Sequence, residues 1–326
     1  MKRRLFVTLP LALPLALPLA LPLATPALAQ EQVLRIIIPF PPGGPADTIA
    51  RLLERPLGAA LAQAVVLDHR SGAGGVVGMD AVARARPDGN TVGLGSTGAL
   101  VIAPHLMPRM PYDPLRDLAP VSEVLAVSQL LVVPVASPAR DVAGLVALAR
   151  AQPGAIAYAS AGIGSSLHLA AELFRQKAGI DITHVPYRGA APAIIDVLAG
   201  RVQMMLGDVS GLLPQVQGGA LRALAITSAT RFAGLPDVPT FAEAGIEGMI
   251  SDTFYGVLAP AGVPPARIAA LAAALQTALA EPETRAALAA QGGTIIASTP
   301  EEFATRLRQS SARWAEVVRA GNIRME

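Results

Sequence analysis

Short apolar runs alternate with longer helical stretches along this chain of 326 residues, and this rhythm restricts the possible folds more than any other feature. Most of the runs lack a strict polar alternation, which is typical of strands covered on both faces of a sheet. Glycine follows the stretches 166–177 and 190–198, as is usual just past the last turn of a helix. The runs predicted as strands are 34–38, 65–67, 91–94, 129–133, 156–158, 182–185, 202–206, 221–226 and 254–258. A β-α-β-α order of this kind predicts an α/β protein with parallel sheets and helices on both faces.

The amino terminus has the composition of an export signal. Three basic residues precede an apolar tract of repeated Ala-Leu-Pro-Leu units, and residues 27–29 form the Ala-Leu-Ala pattern that signal peptidase recognises. The tract approaches the length of a membrane span, but each of its prolines removes a helical hydrogen bond, which favours a cleaved signal over an anchor. We therefore expect residues 1–29 to be a signal peptide, cut near Ala29-Gln30, and the mature protein to be soluble in the periplasm. The export route, Sec or twin-arginine, stays open.

Charge and composition exclude several classes of function. Removing residues 1–29 takes away three of the 26 Lys and Arg residues and none of the 24 Asp and Glu residues, so the mature chain is almost neutral. No basic surface for nucleic acid or membrane lipid is implied. The chain has no cysteine, so neither disulfides nor a cysteine-linked lipid anchor is expected. Its aromatic residues, 4% of the chain, are too few for binding by base or sugar stacking.

The length of the mature chain suits two domains, each with its own core. Two extended segments end in proline, 131–134 and 257–260, and we predict that they are the paired connections between two lobes. Lobe 1 would then comprise residues 30–133 and 255–326, and lobe 2 residues 134–254. The protein is expected to be a monomer.

The first predicted strand leads through a proline- and glycine-rich turn into a helix. Glycine permits positive φ angles and lets a ligand approach bare backbone, while the free N–H groups and the positive dipole of a helix start favour an anion. The candidate ligand-binding residues here are Phe40, Gly43, Gly44, Asp47 and Thr48. The alternative is a tight turn in which Asp47 or Thr48 only caps the helix. The spacing does not match a dinucleotide or P-loop motif.

A second strand, loop and helix start repeats this arrangement in lobe 2. The candidates are Ala161, Gly162, Gly164 and Ser165, with a serine as the cap of the helix. Two helix starts that converge from opposite lobes would hold a carboxylate without an arginine. A purely structural role explains each loop alone about as well, so the prediction rests on the pair.

Three further residues are weaker candidates. Ser96 opens another helix and is expected to line the same crevice. Tyr187 follows a strand end, and its neighbour Arg188 is better explained as a solvated surface residue. Asp208 follows a strand and either accepts a hydrogen bond from a ligand amine or hydroxyl or caps the next helix.

The sequence favours a binding protein over an enzyme. The four histidines show no metal-ligand spacing and there is no cysteine, so no metal and no cofactor is expected. The Gly-Ile-Gly-Ser-Ser run at 162–166 is not a nucleophile elbow, so no catalytic residue is predicted.

Eight short motifs follow one another along the mature chain, at 39–47, 72–75, 86–89, 111–114, 160–168, 185–189, 235–245 and 255–262. In this order and spacing they resemble the Bug-type periplasmic receptors of tripartite tricarboxylate transporters. The resemblance implies a type II periplasmic-binding fold, with two lobes of mixed or parallel sheet joined by two hinge strands that close around one small organic acid. It also implies that the segments 40–48 and 161–165 hold the ligand carboxylate through backbone groups and water.

The chain departs from this family pattern at two positions. Ile163 stands where family members often have asparagine, and Gly207 stands where they often have aspartate, one position before Asp208. Two binding roles stay open. The protein either delivers a small organic acid or acidic amino acid to the membrane subunits of a tripartite tricarboxylate transporter, or presents it to a two-component sensor without transport. The sequence does not identify the acid.

Overall fold

The computed structural model describes residues 33–290, 292–320 and 323. The predicted signal peptide, residues 1–29, lies outside the described residues. All nine predicted strands are present, and a short tenth strand was not predicted. The strands are β1 Leu34–Ile38, β2 Val65–His69, β3 Thr91–Ser96, β4 Leu118–Pro134, β5 Ala157–Ser160, β6 Thr183–Pro186, β7 Met204–Asp208, β8 Leu221–Ile226, β9 Asp252–Pro260 and β10 Gly293–Ile295.

Helices follow most of the strands, as the alternation predicts. They are α1 Pro45–Leu61, α2 Val76–Ala83, α3 Ala103–Leu106, α4 Val142–Ala151, α5 Ser166–Ala178, α6 Ala190–Leu198, α7 Val209–Gln217, α8 Pro265–Ala280, α9 Pro282–Ala290 and α10 Pro300–Ala320. A 3-10 turn, Ala73–Gly75, precedes α2, and a π-helical turn, Gly98–Ile102, precedes α3. At the start of α10, Thr299 and Glu302 form a reciprocal capping box through backbone N–H groups.

The sheet is mixed rather than wholly parallel. The pairs β1–β2, β1–β3, β5–β6 and β5–β7 are parallel, as expected from β-α-β units. The long strands β4 and β9 run antiparallel to each other and to their other neighbours. The strand order is β2-β1-β3-β9-β4-β7-β5-β6, with β8 and β10 also paired to β4. The alternation of strands and helices alone predicts parallel sheets, whereas β4 and β9 make the sheet mixed, which agrees with the mixed or parallel sheets that the family resemblance implies.

Strand β4 connects the two groups of strands. Up to Ser128 it pairs with β9, beside β1 to β3, and from Gln129 onward it pairs with β7. This change of partner lies close to the predicted boundary between the two lobes, at residues 133 and 134. Strand β9 also pairs with β3, so the two groups of strands are joined where β4, β7 and β9 meet.

Apolar side chains fill the layers between sheet and helices. Tyr158, Phe174 and Phe241 are fully buried on the β5 side, and Phe254, Phe303 and Trp314 are buried between β9 and α10. Burial of aromatic side chains contributes strongly to each core. These two clusters and a third, which includes residues of both groups of strands, hold the strands in place.

Candidate functional site

A cavity lies between the two lobes, at the carboxyl ends of several strands, where open α/β sheets usually bind ligands. It has about 400 Å³ of empty space, part of it open to solvent. Its lining residues are Phe40, Pro41, Gly44, Pro45, Ala46, Ser96, Ala161, Ser165, Ser166, Leu167, Ala190, Asp208, Thr253 and Tyr255.

The start of α1 forms one wall of the cavity. Pro45 occupies the first helical position, which its fixed φ suits, and Gly44 precedes it in an extended conformation with φ −93° and ψ 176°. No side chain caps this helix start. The N–H groups of Ala46 and Asp47 belong to the first turn and have no carbonyl partner within the helix. A lining residue, Ala46, therefore carries a backbone donor that is available to a ligand.

The start of α5 forms the facing wall. The Ser165 side chain accepts a hydrogen bond from the His168 N–H at 3.2 Å and so caps the helix. The N–H groups of Ser166 and Leu167, both lining residues, have no carbonyl partner within the helix. Gly162 and Gly164 have φ of 123° and 78°, a region that favours glycine, and they turn the chain from β5 into α5.

Two more helix starts reach the cavity. Ala190 is the first residue of α6, and Asp208 precedes α7. Four helices thus begin around one space, and the positive ends of their dipoles favour negative charge there. No Lys, Arg or His is among the lining residues. An anion in this cavity would therefore be held by backbone N–H groups and hydroxyls.

Asp208 lies at the centre of a buried hydrogen-bond network. One carboxylate oxygen accepts from Thr253 Oγ1 at 2.6 Å and the other from the Tyr255 hydroxyl at 2.6 Å. Thr253 Oγ1 also contacts Ser166 Oγ at 2.7 Å and accepts from Gln129 Nε2 at 3.1 Å. The network joins α5, β4, β7 and β9, and all of its members except Gln129 line the cavity.

Burial raises the pKa of Asp208 to about 6, although the hydrogen bonds from Thr253 and Tyr255 act to lower it. Burial and the adjacent Asp208 carboxylate raise the pKa of Tyr255 well above 10, so this hydroxyl remains a donor at neutral pH. At neutral pH Asp208 is therefore mostly ionised, in a setting that opposes its charge.

Aromatic rings stack beneath the second loop. The rings of His168 and His184 lie 4.0 Å apart, and Tyr158 stacks on His184 at 4.8 Å. His168 Nδ1 accepts the Gly164 N–H at 3.2 Å, which requires that nitrogen to be unprotonated. His184 Nε2 is 2.7 Å from the hydroxyl of Ser160. The stack therefore supports the loop that leads into α5.

Six of the twelve predicted site residues line the cavity: Phe40, Gly44, Ser96, Ala161, Ser165 and Asp208. The other six lie beside it, and most of them hold the loops in place. These six are Gly43, Asp47, Thr48, Gly162, Gly164 and Tyr187. The hydroxyl of Thr48 bonds to the Gly44 carbonyl at 3.3 Å, and the hydroxyl of Tyr187 donates to Asp196 at 2.7 Å.

Asp47 is the clearest case of a supporting residue. Its carboxylate accepts from the Gly43 N–H at 2.9 Å, from Arg51 Nε at 3.0 Å, and lies 2.8 Å from His69 Nε2. Burial alone would raise the pKa of Asp47, but these three partners together lower it. The carboxylate thus fixes the turn before α1 while its oxygens are occupied by this chain's own donors.

Eight lining residues were not among the twelve named candidates: Pro41, Pro45, Ala46, Ser166, Leu167, Ala190, Thr253 and Tyr255. Five of them lie within or next to the predicted loops. Ala190 follows Gly189, and a glycine at a helix start could have indicated this residue as a candidate. Thr253 and Tyr255 lie in a strand, where an apolar run indicates burial and not a site.

Among the described residues, no three His, Cys, Asp or Glu side chains lie together in a way that could hold a metal ion. Across the same part of the chain, no helix combines the length and apolar character needed to cross a membrane.

Comparison with known proteins agrees with this architecture. The sequence model of the tripartite tricarboxylate transporter family receptor matches residues 49–323. BugT of Bordetella pertussis is 40% identical over 287 residues, which cover 88% of this chain and 88% of BugT. The structure of Rpa4515 of Rhodopseudomonas palustris with adipate is 32% identical, with a TM-score of 0.87, and the match covers 89% of this chain and 97% of that one. MatC from the same organism, with bound malate, is 30% identical with a TM-score of 0.85, over 88% of this chain and 98% of MatC.

The matched family is one of receptors, and the two solved relatives hold small acids. The prediction of a binding protein rather than an enzyme is confirmed by this match, and so is the prediction of a two-lobed α/β fold. The resemblance to Bug-type receptors, inferred from eight motifs, is confirmed as well. The chain belongs to the tripartite tricarboxylate transporter receptor family.

Proposed function

We propose that the protein is a periplasmic receptor that captures a small carboxylate-bearing molecule in the cavity between its lobes and delivers it to the membrane subunits of a tripartite tricarboxylate transporter. One observation carries the proposal: the starts of α1 and α5, which lie in different predicted lobes, line the same cavity. Each start offers backbone N–H groups that lack helical partners. Export to the periplasm is supported by the signal-like pattern of residues 1–29.

The arrangement couples binding to closure of the lobes. A carboxylate that contacts the start of α1 alone gains nothing from closure, whereas one that also contacts the start of α5 favours the closed form. The cavity offers no cationic side chain, so the attraction comes from N–H groups and helix dipoles, which act at short range. The acids held by the two relatives, adipate and malate, support a carboxylate ligand for this chain.

The proposal is tested first by thermal shift against a panel of organic acids and amino acids, including malate and adipate. A ligand at 100 times its Kd stabilises the folded state by about 2.7 kcal/mol, which is easily measured. Binding of at least one acid is expected. If every acid in the panel leaves Tm unchanged, the proposed function is contradicted.

A Gly44→Val variant then tests the site. The extended backbone at Gly44 accepts a β-branched residue, and a Cβ there would come no closer than 3.9 Å to its nearest neighbour, the Pro41 carbonyl. The fold should therefore persist while the added side chain occupies the cavity and abolishes detectable binding by calorimetry. Arg188→Ala, at an exposed position outside the cavity lining, is the matched control and should bind as the wild type does. Wild-type affinity in Gly44→Val would place the ligand elsewhere.

A further inference from the structure

The cavity contains a single formal charge, and that charge is negative. Of the fourteen residues that line it, only Asp208 is charged at neutral pH. Asp208 is 3% exposed, and no salt bridge to it forms within the described part of the chain. Carboxylates buried to this degree are normally paired with a cation.

The number of available protons determines which groups donate and which accept in the hydrogen bonds around Asp208. Thr253 has one hydroxyl proton and donates it to Asp208, so Ser166 and Gln129 must both donate to Thr253. The Tyr255 hydroxyl also donates to Asp208. A carboxylate has about four acceptor positions. The two hydroxyls occupy two of them, and the Gln129 side chain also acts on this carboxylate. Asp208 is thus held as an acceptor and keeps capacity for a further donor from the cavity.

These neutral donors and the start of α7, which Asp208 precedes, reduce the cost of burying the carboxylate. No cationic side chain among the lining residues balances its charge. A second carboxylate placed in the cavity opposite Asp208 would meet repulsion in a region of low dielectric. A ligand hydroxyl would add one more hydrogen bond and leave the charge as it is. An ammonium group would supply both a donor and the missing positive charge.

We propose that Asp208 determines specificity, and that the preferred ligand carries an ammonium group that contacts Asp208 as well as a carboxylate held at the starts of α1 and α5. The inference rests on the proposed function, because it assumes that the cavity holds a carboxylate. It assigns the ligand to the class of amino acids and related zwitterions. The starts of α1 and α5 attract the anionic group of such a ligand, and Asp208 attracts its cationic group.

The test compares acids that differ only by an amino group: aspartate with succinate, and alanine with propionate. Calorimetry on the wild-type protein should give an affinity at least about tenfold higher for the amino-bearing member of a pair, as expected for a charge-assisted contact. In Asp208→Asn, which keeps the side-chain shape, this ratio should fall to near one. Asp237→Asn, which removes an exposed carboxylate outside the cavity lining, is the control and should keep the wild-type ratio.

The outcomes separate the two proposals. If succinate or propionate binds as tightly as its amino-bearing partner, or if the ratio survives in Asp208→Asn, the cavity holds carboxylates without selecting for an ammonium group and the inference is wrong. If no acid of any kind binds the wild type, both proposals fail. Circular dichroism of Asp208→Asn checks that a lost preference does not reflect a lost fold.

Discussion

Asp208 is a residue at which binding and stability oppose each other. Burial raises its pKa to about 6 from the usual 3.8, so the folded state disfavours the ionised form. The folded state then holds a proton that the unfolded state has already lost as the pH rises from about 3.8 to 6, and stability decreases over this range. Above about pH 6 the cost is complete, with an upper limit on the order of 3 kcal/mol. Natural binding sites commonly retain such costs.

We therefore expect Asp208→Asn to stabilise the ligand-free protein at pH 7. Asparagine has no charge to bury, and the Tyr255 hydroxyl can accept from its amide. The Tm should rise by about 2 °C or more at pH 7, and the difference should disappear near pH 4, where the wild-type carboxyl is also neutral. Scanning calorimetry at several pH values measures this. Asp237→Asn should show no such trend, and a gain for Asp208→Asn that does not change with pH would exclude burial of charge as its cause.

At the scale of residues, what the sequence revealed depended on the local signal. Gly44 and Ser165 were predictable because glycine and serine at helix starts have a specific backbone role. Thr253 and Tyr255 were not, because their importance comes from the register of β9 against β4, which lies more than a hundred residues away. Asp208 was predicted with two alternatives. Its side chain makes no cap hydrogen bond to α7 and accepts from Thr253 and Tyr255 instead, while its contact with a ligand stays a prediction.

At the scale of elements, the stack of His168 and His184 supports the second loop only while both rings are neutral. Burial lowers the pKa of His168 to about 4, and burial together with the neighbouring His168 lowers the pKa of His184 to about 3. In the unfolded chain both protonate near pH 6.5. Because the unfolded state then binds more protons, stability decreases as the pH falls below about 6.5, and the decrease continues to about pH 4 for His168 and about pH 3 for His184.

A His184→Phe variant tests this contribution. Phenylalanine retains a ring between Tyr158 and His168 but cannot take up a proton. In this variant only His168 still lowers the stability of the folded state as the pH falls. The fall in Tm between pH 7 and pH 5 should be smaller than in the wild type by about 2 °C or more. Asp208 acts in the opposite direction over part of this range, but it is the same in both proteins and cancels in the comparison. Equal falls in Tm would show that His184 does not contribute.

Helix starts were the elements best predicted from the sequence, and long strands the worst. Proline, glycine and serine mark the beginnings of α1 and α5 within a few residues, because each acts through its own backbone or side chain. For β4 only 129–133 was predicted, whereas the strand extends over Leu118–Pro134. Its first half carries register shifts near Pro120 and Glu123, and these irregularities interrupt the apolar pattern that a sequence analysis depends on.

At the scale of the whole molecule, the two-lobed fold was predictable and the fit between the lobes was not. The order of strands and helices depends on local patterns, and the motifs identified the family. The π-helical turn that begins at Gly98 contacts the second loop, which lies more than sixty residues further along the chain. Sequence periodicity carries no information about a contact of this kind. A Cβ on Gly98 would lie 2.9 Å from the Gly164 carbonyl oxygen and 2.9 Å from Ser165 Cα.

Gly98→Ala should consequently hinder closure without harming either lobe. The clash involves backbone atoms on the far side of the cleft, so it is relieved when the lobes separate, and alanine favours a helical turn more than glycine does. We expect an unchanged circular dichroism spectrum and an affinity at least about tenfold lower for the acid that binds the wild type most tightly. Small-angle scattering should show that this ligand compacts the wild type and Gly144→Ala, a control in α4 outside the cavity lining, but not Gly98→Ala. Ligand-induced compaction and wild-type affinity in Gly98→Ala would mean that binding does not require this contact between the lobes.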